Sequence, residues 1–510
     1  MKRYLLIIIV IASIASGCAF EDKPWKTHWL ESPINYDPSG VQTSLDNKNS
    51  FPIDKSLTLT DGRQSVNGGL LWPHSIHPKT ASALELKDEN RYPIDLPTVL
   101  RLAGANHLDI ALFRQKLHEA YSNALVAAER FIPTLTPGVL FQRREGSVQR
   151  STGEFISVDA QQTFIGGNIS LDWELGEAIY STLAEMQRYH ASKAALEAKV
   201  HDAILEATIA YFLVVREQAM VVISQQSVEI SEKLVRQTED AVLQGMGFKG
   251  DVLRAKAQLS ANKLALTEAK ESFKMASITL ATILRLDSDL ELYSVEKLVV
   301  PVKMVNDREK LSDLVKRAMM QRPELKEADA DFRAIKNEVT GAVWGPLIPS
   351  LRAEAGAGGL GPVPSDLSSR EDYRISVGWK VGPGGIFDIG RQHVTKSQHE
   401  TQRVRIAKLM QKVEEEVRVS YTQVLAKAEQ IKIAEEGISD ALESLKLNQE
   451  RQMKGIGIPL EVLQAEEAST KARQNHLSAI IEYNKAQYTL FTKIGMNPIE
   501  GMNTGKRNEK

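Results

Sequence analysis

Cysteine is nearly absent from this chain of 510 residues: Cys18 stands alone, so no intrachain disulfide can form. Neither sign of charge is in excess. There are 65 acidic and 63 basic side chains and a net charge of −2, which gives no support to nucleic-acid binding as a main role. Aromatic residues make up only 6%, while Ala, Glu, Lys, Leu and Gln fill long blocks, a balance that favours helix over sheet. Proline is missing from two stretches of about 65 residues each, Gly176 to Gly245 and Arg391 to Gly455.

The usual motifs of catalysis are missing too. There is no glycine loop with a lysine for phosphate, no Cys or His zinc spacing and no serine nucleophile motif. Gly382-Pro383-Gly384-Gly385 reads as a turn. A di-iron carboxylate site needs Glu-x-x-His pairs on facing helices; Glu197 and His201 are one residue too far apart, and no second pair exists. His190 and His201 read as exposed helix residues, Glu414-Glu415-Glu416 as a solvated helix face, and His28, His74 and His77 as scattered solvated groups. The sequence therefore supports no enzyme, no metal site and no cofactor.

What is present occurs twice. Residues 243 onward read LQGMGFKGDVLRAKAQL, and residues 453 onward read MKGIGIPLEVLQAEEAS. Gly245 and Gly247 align with Gly455 and Gly457. Met246 and Phe248 align with Ile456 and Ile458, and Asp251 with Glu461. Glycine tolerates the left-handed conformation that ends a helix, an acid suits the first turn of the next, and Pro459 suits that turn as well. Each copy is a tight reversal between two antiparallel helices.

In chain order, Met1-Lys2-Arg3 and the apolar run Leu5–Ile14, too short for a comfortable membrane span, read as a signal over residues 1–17. Ala15-Ser16-Gly17-Cys18 resembles a bacterial lipoprotein signal, with a lipid on Cys18; Ala19 in place of Asp resembles an outer-membrane address. An ordinary secretory signal is the alternative. Residues 18–92 are broken by proline, Asn, Ser and Gly, and read as an irregular surface segment. Two structural repeats follow, 93–297 and 298–495, and then a polar tail, 496–510. Each repeat opens with a helical segment, from Asp95 and from Leu311, that stops at Ile132-Pro133 or Ile348-Pro349. A period of two then appears. Ile169, Leu171 and Trp173 alternate with polar residues, as do Leu351, Ala353 and Ala355, and Ile375, Val377 and Trp379. Gly138–Arg144 makes a poorer strand. The polar stretches Glu145–Gln161 and Gly358–Asp372 are expected to link the strands into two hairpins. A long helix, a tip and a return helix (Asp251–Leu286, Leu460–Ile494) complete each repeat.

The chain resembles the outer-membrane efflux protein family, of which TolC is the namesake, over about residues 93 to 495. The resemblance rests on the two-fold repeat, the Ile-Pro-x-Leu landmarks, Trp379 followed by Ile386-Phe387-Asp388-Ile389-Gly390, and the two tips. The first repeat departs from it, with Trp173-Glu174-Leu175-Gly176 in place of the Phe-Asp run. It implies a mainly α fold with a membrane β-barrel, built from coiled-coil helical hairpins and four strands per chain. It implies a homotrimer in the outer membrane with a periplasmic extension, partnered by a periplasmic adaptor and an inner-membrane pump, and conducting substrates passively. Drugs, small toxic molecules and metal ions are the expected cargo. A type I protein secretion channel is the alternative, and a periplasmic coiled-coil scaffold a second. By the same resemblance Gly245, Met246, Gly247, Phe248, Gly455, Ile456, Gly457 and Ile458 dock the adaptor. Glu461, with a smaller share from Asp251, rings the aperture; Gln464 stands where a second acid would reinforce it.

Overall fold

The computed structural model describes residues 91–245, 247–287, 289–296, 299–305, 309–454 and 456–499. Cys18 and its leader, the three histidines at 28, 74 and 77, Met246, Gly455 and the last residues of the tail lie outside them.

Each repeat begins with two helices where the sequence suggests one. In the first, α1 (Leu96–Asn106) is capped by Asp95, whose carboxylate accepts from the Thr98 N–H at 3.1 Å. It gives way at His107, which is extended (φ −61°, ψ 133°) and caps α2 (Leu108–Glu129) by accepting from the Asp109 N–H through Nδ1. In the second, α5 (Leu311–Gln321) stops at Arg322 because the residue before a proline is pushed out of the helical region; Pro323 then opens α6 (Pro323–Trp344).

The long segments form as the missing prolines allow. Helix α3 runs Leu175–Leu243 and α7 runs Ile389–Met453, each about 100 Å at about 1.5 Å per residue. Their return helices are α4 (Lys249–Leu284) and α8 (Pro459–Lys493). The stripe Ile204, Ala207, Tyr211 and Val214 of α3 is buried against Leu280 and Leu284 of α4 and Leu477, Ile481 and Tyr488 of α8. A second core joins Val413 and Val417 of α7 to Leu490 and Phe491 of α8 and Leu314 of α5. A small third core near the tips holds Leu234, Val235, Ala255, Leu445, Val462 and Ala465, so all four hairpin helices contribute to it. Burial of each Leu, Ile or Val contributes roughly 1.5–3 kcal/mol.

The four amphipathic strands form one antiparallel sheet in the order β2 (Thr134–Gln149), β3 (Phe155–Trp173), β5 (Ser350–Gly361), β6 (Ser368–Gly378). The strands are longer than expected. Most of the stretches 145–161 and 358–372 is strand, with only residues 150–154 and 362–367 left to turn. Ladder hydrogen bonds join backbone groups, so polar side chains do not end a strand whose faces both meet solvent. A two-stranded parallel pair, β1 (Arg91–Ile94) with β4 (Glu291–Ser294), was not foreshadowed; Arg91 and Glu291 close it with a 2.7 Å ion pair.

Candidate functional site

The sheet has two unlike faces. Directly paired residues share a face: Leu135 with Ile169, Val139 with Ile165, Leu351 with Trp173 and Val377, and Ala353 with Ile375. Leu135, Val139, Ile165, Ile169, Ile375 and Val377 are all exposed. The opposite face carries cross-strand ion pairs, Asp172 with Arg352 at 2.8 Å and Glu354 with Arg374 at 3.2 Å. On β3 the apolar face runs from Trp173 to Thr163. At about 3.3 Å per residue and a tilt of about 40°, that is a band about 25 Å tall, the height of a membrane barrel's lipid-facing belt. The Arg143–Asp159 ion pair, 3.2 Å apart on the same face, marks the band's far edge.

At its near edge the two landmarks of each repeat meet. The Trp173 indole N–H donates to the Phe131 carbonyl at 3.1 Å, and that of Trp379 to the Leu347 carbonyl at 3.0 Å. Each carbonyl immediately precedes an Ile-Pro pair. The tryptophan of each repeat therefore fastens the strand's end to the turn that starts the hairpin, and its ring stays amphipathic at a boundary.

The two tips are built alike. Gly245 is left-handed at φ 73°, and its N–H donates to the Val242 carbonyl at 3.0 Å. A Cβ on Gly247 would lie 2.8 Å from the Val242 nitrogen, and one on Gly457 would lie 2.9 Å from the Gln452 nitrogen. Phe248 and Ile458 are the extended residues that precede α4 and α8; their carbonyls accept from Asp251 and Glu461. With that backbone work done by glycine and main chain, the apolar side chains are left outside: Phe248 is 69% exposed, Ile456 71% and Ile458 56%. Gln464 is exposed one turn into α8.

The tip acids are not alone. Asp251 pairs with Arg254 on its own helix at 3.1 Å, and Glu461 pairs across the turn with Arg451 at 3.3 Å. Arg451 was missed in the sequence. Its signal is that Ala241 occupies the corresponding place of the first tip, so among the described residues Glu461 is paired from across the turn and Asp251 only from its own helix.

Two other expectations need correction. His201 is buried at 7% exposure, because it falls on the face of α3 that carries Ala194, Ala198 and Ile204; His190 is exposed as expected. Glu416 is not part of a solvated face. It accepts from Arg322 at 2.7 Å and pairs with Lys493 at 3.2 Å, while Arg322 also donates to the Lys493 carbonyl at 2.5 Å. Burial pushes the Glu416 carboxyl up, but hydrogen bonds and charges from Arg322 and Lys493 outweigh it and hold the group below the usual range. Among the described residues no group of three His, Cys, Asp or Glu is placed to hold a metal ion.

Several solved structures share this fold. The outer membrane protein VceC of Vibrio cholerae is 16% identical with a TM-score of 0.67, over 79% of this chain and 96% of that one. The Campylobacter jejuni CmeC outer membrane channel is 16% identical with a TM-score of 0.66, over 84% and 94%. The open state of the Neisseria gonorrhoeae MtrE outer membrane channel is 19% identical with a TM-score of 0.65, over 79% and 89%. No curated protein matches the chain in sequence. Residues 99–284 and 314–496, one stretch from each repeat, match the outer membrane efflux protein family, and the chain belongs to it.

Proposed function

We propose that three copies of this chain close into one outer-membrane barrel and one periplasmic helical tunnel, which passively conducts substrates received from an inner-membrane pump through a periplasmic adaptor. The observation that carries this reading is that every layer ends in the same two kinds of edge. The sheet ends in β2 and β6. The layer α2–α3–α6–α7 and the tip layer α4–α3–α8–α7 each end in a first-repeat helix on one side and in α7 on the other. Head-to-tail joining puts β6 of one copy on β2 of the next, and a ring results when the rotation closes. Four strands cannot close, and an open edge is not tolerated in lipid. Two copies would give eight strands, whose interior side chains fill; three give twelve and leave a lumen. The ion-paired face of the sheet suits a wet lumen, and the apolar face suits lipid.

Cys18 is the lipid anchor in this reading. Cys18→Ser is expected to abolish metabolic labelling with palmitate, and persistent labelling would remove the anchor from the account. The exposed Phe248, Ile456 and Ile458 dock the adaptor. Three copies of Glu461 form the aperture with the neighbouring Arg451; Asp251, on the other hairpin, takes a smaller share, and Gln464 lies one turn along α8. Pairing to Arg451 weakens the ring's field without cancelling it at close range. Purified protein in a planar bilayer should show discrete conductance steps. Glu461→Gln should lower cation selectivity and weaken block by multivalent cations added on the tip side. Unchanged selectivity and block leave Glu461 as a helix-start charge.

A further inference from the structure

The two hairpins meet where α8 lies on α3, and the contact changes character along its length. Ile223, Leu477 and Ile481 make it apolar on one side, and Leu234, Val235, Val462 and Ala465 make it apolar again near the tips. Between these cores it is polar: Gln226, Ser227 and Ser231 on α3, Asn262 on α4, and Glu466, Ser469, Thr470 and Arg473 on α8. Ser227, Ser231, Glu466 and Ser469 are all buried, with Glu466 only 3% exposed.

Two side-chain bonds tie α3 to α8 directly; in the first, Ser227 Oγ and Thr470 Oγ1 stand 2.7 Å apart. Thr470 also donates to Glu466 Oε1 at 3.3 Å. From α4, Asn262 donates to Ser231 Oγ at 2.7 Å and to the Ser227 carbonyl at 3.3 Å. Arg473 donates to Gln226 Oε1 at 2.8 Å and is the charged group that faces Glu466. The Ser469 hydroxyl is buried with no hydrogen-bond partner among the described residues. A hydroxyl-rich contact can exchange its bonds as helices turn, whereas an interlocked apolar core cannot shift without opening voids. Ser469 holds a hydroxyl ready for such an exchange.

We propose that this polar seam is a proton-controlled pin between the two hairpins: α8 is held against α3 when the Glu466 carboxyl is protonated, and is free to turn or slide below Arg473 when it is ionised. Burial raises the Glu466 carboxyl above its ordinary 4.5, against the opposing pull of hydrogen bonds from Ser227, Thr470 and Asn262 and the charge of Arg473. In a released state the group returns to water and titrates near that ordinary value. The pinned state thus binds the proton more tightly. It gains population as pH falls through the raised value, and loses that gain as pH rises through it. The third core, which itself joins α3 to α8, is then the remaining hold between the hairpins on the tip side of the seam. The pin itself does not depend on the transport reading; only its consequence for conduction does.

The test is the distance between nitroxide labels at Lys233→Cys and Glu467→Cys, both exposed positions. The full chain carries Cys18→Ser, and labelled chains are diluted with unlabelled ones. Both labels sit on one chain, so the result does not depend on how many copies assemble. At about pH 4.5, the ordinary value, where a raised carboxyl is mostly protonated, a single narrow distance is expected, and at about pH 8 a broader or divided distribution. Glu466→Gln, which keeps the shape and removes the charge, should give the narrow distance at both. Thr470→Val, which removes the hydroxyl bond from α8 to Ser227 and leaves that of Arg473 to Gln226, should give the broad one at both, and serves if the first variant fails to fold. Identical distributions at both pH values in the parent would overturn the proposal, as would an unchanged pH response in either variant.

Discussion

Arg285 and Gly495 end the two return helices in the same left-handed conformation, at φ 55° and 86°, yet only one is glycine. They stand equally far along the chain from Asp251 and Glu461. A Cβ on Gly495 would lie 2.8 Å from the Arg322 nitrogen, so no side chain fits there, whereas Arg285 is exposed and only its backbone is strained. Arg285→Gly should therefore stabilise the chain by about 0.5–1 kcal/mol, the left-handed penalty less the extra entropy of glycine. Thermal unfolding of matched samples checks this, and a lower midpoint would show that Arg285 makes a contact worth more than its strain. At this scale the sequence was legible where one residue type answers one local need, as at the tip glycines. Glu416 was not legible. Its partners Arg322 and Lys493 come from other helices, and no local spacing announces them.

At the scale of elements, period and punctuation located the long helices and their return partners within a few residues, and the strands at the ends next to the helices. They failed where a break has a specific local cause. His107 ends α1 by folding its own ring onto the Asp109 N–H, which no composition signal marks. Pro323 did mark its break, but apolar spacing across it read as continuous. Strand ends were misplaced because polar side chains read as linker although the ladder continues. The tips are the elements whose sequence and structure agree most closely, and they separate scaffold from surface. Gly247 and Gly457 are held by close backbone approach; Phe248 and Ile456 point outward with no such duty. Phe248→Glu combined with Ile456→Glu should abolish efflux in cells, while the purified protein keeps its oligomeric state, its helix content and its bilayer conductance. Normal efflux in that double variant would show that these side chains do not dock the adaptor. Loss of the oligomer would make them structural.

For the whole molecule, the claim that matters most is that a single chain is an incomplete object. Its sheet stops at β2 and β6, and both helical layers stop at a first-repeat helix and at α7. Among the described residues the apolar band of the sheet has no partner, and neither do the outward N–H and C=O groups of the two outer strands. The duplication that the sequence displayed is what makes the edges complementary, since each edge belongs to a different repeat. What the sequence could not show is that every layer ends in one first-repeat and one second-repeat element, because that depends on which helices and strands pack side by side. Native mass spectrometry of the detergent-solubilised chain tests this directly. The account predicts one dominant species of three chains, with strand content preserved. A stable monomer or dimer that keeps its full strand content would contradict it.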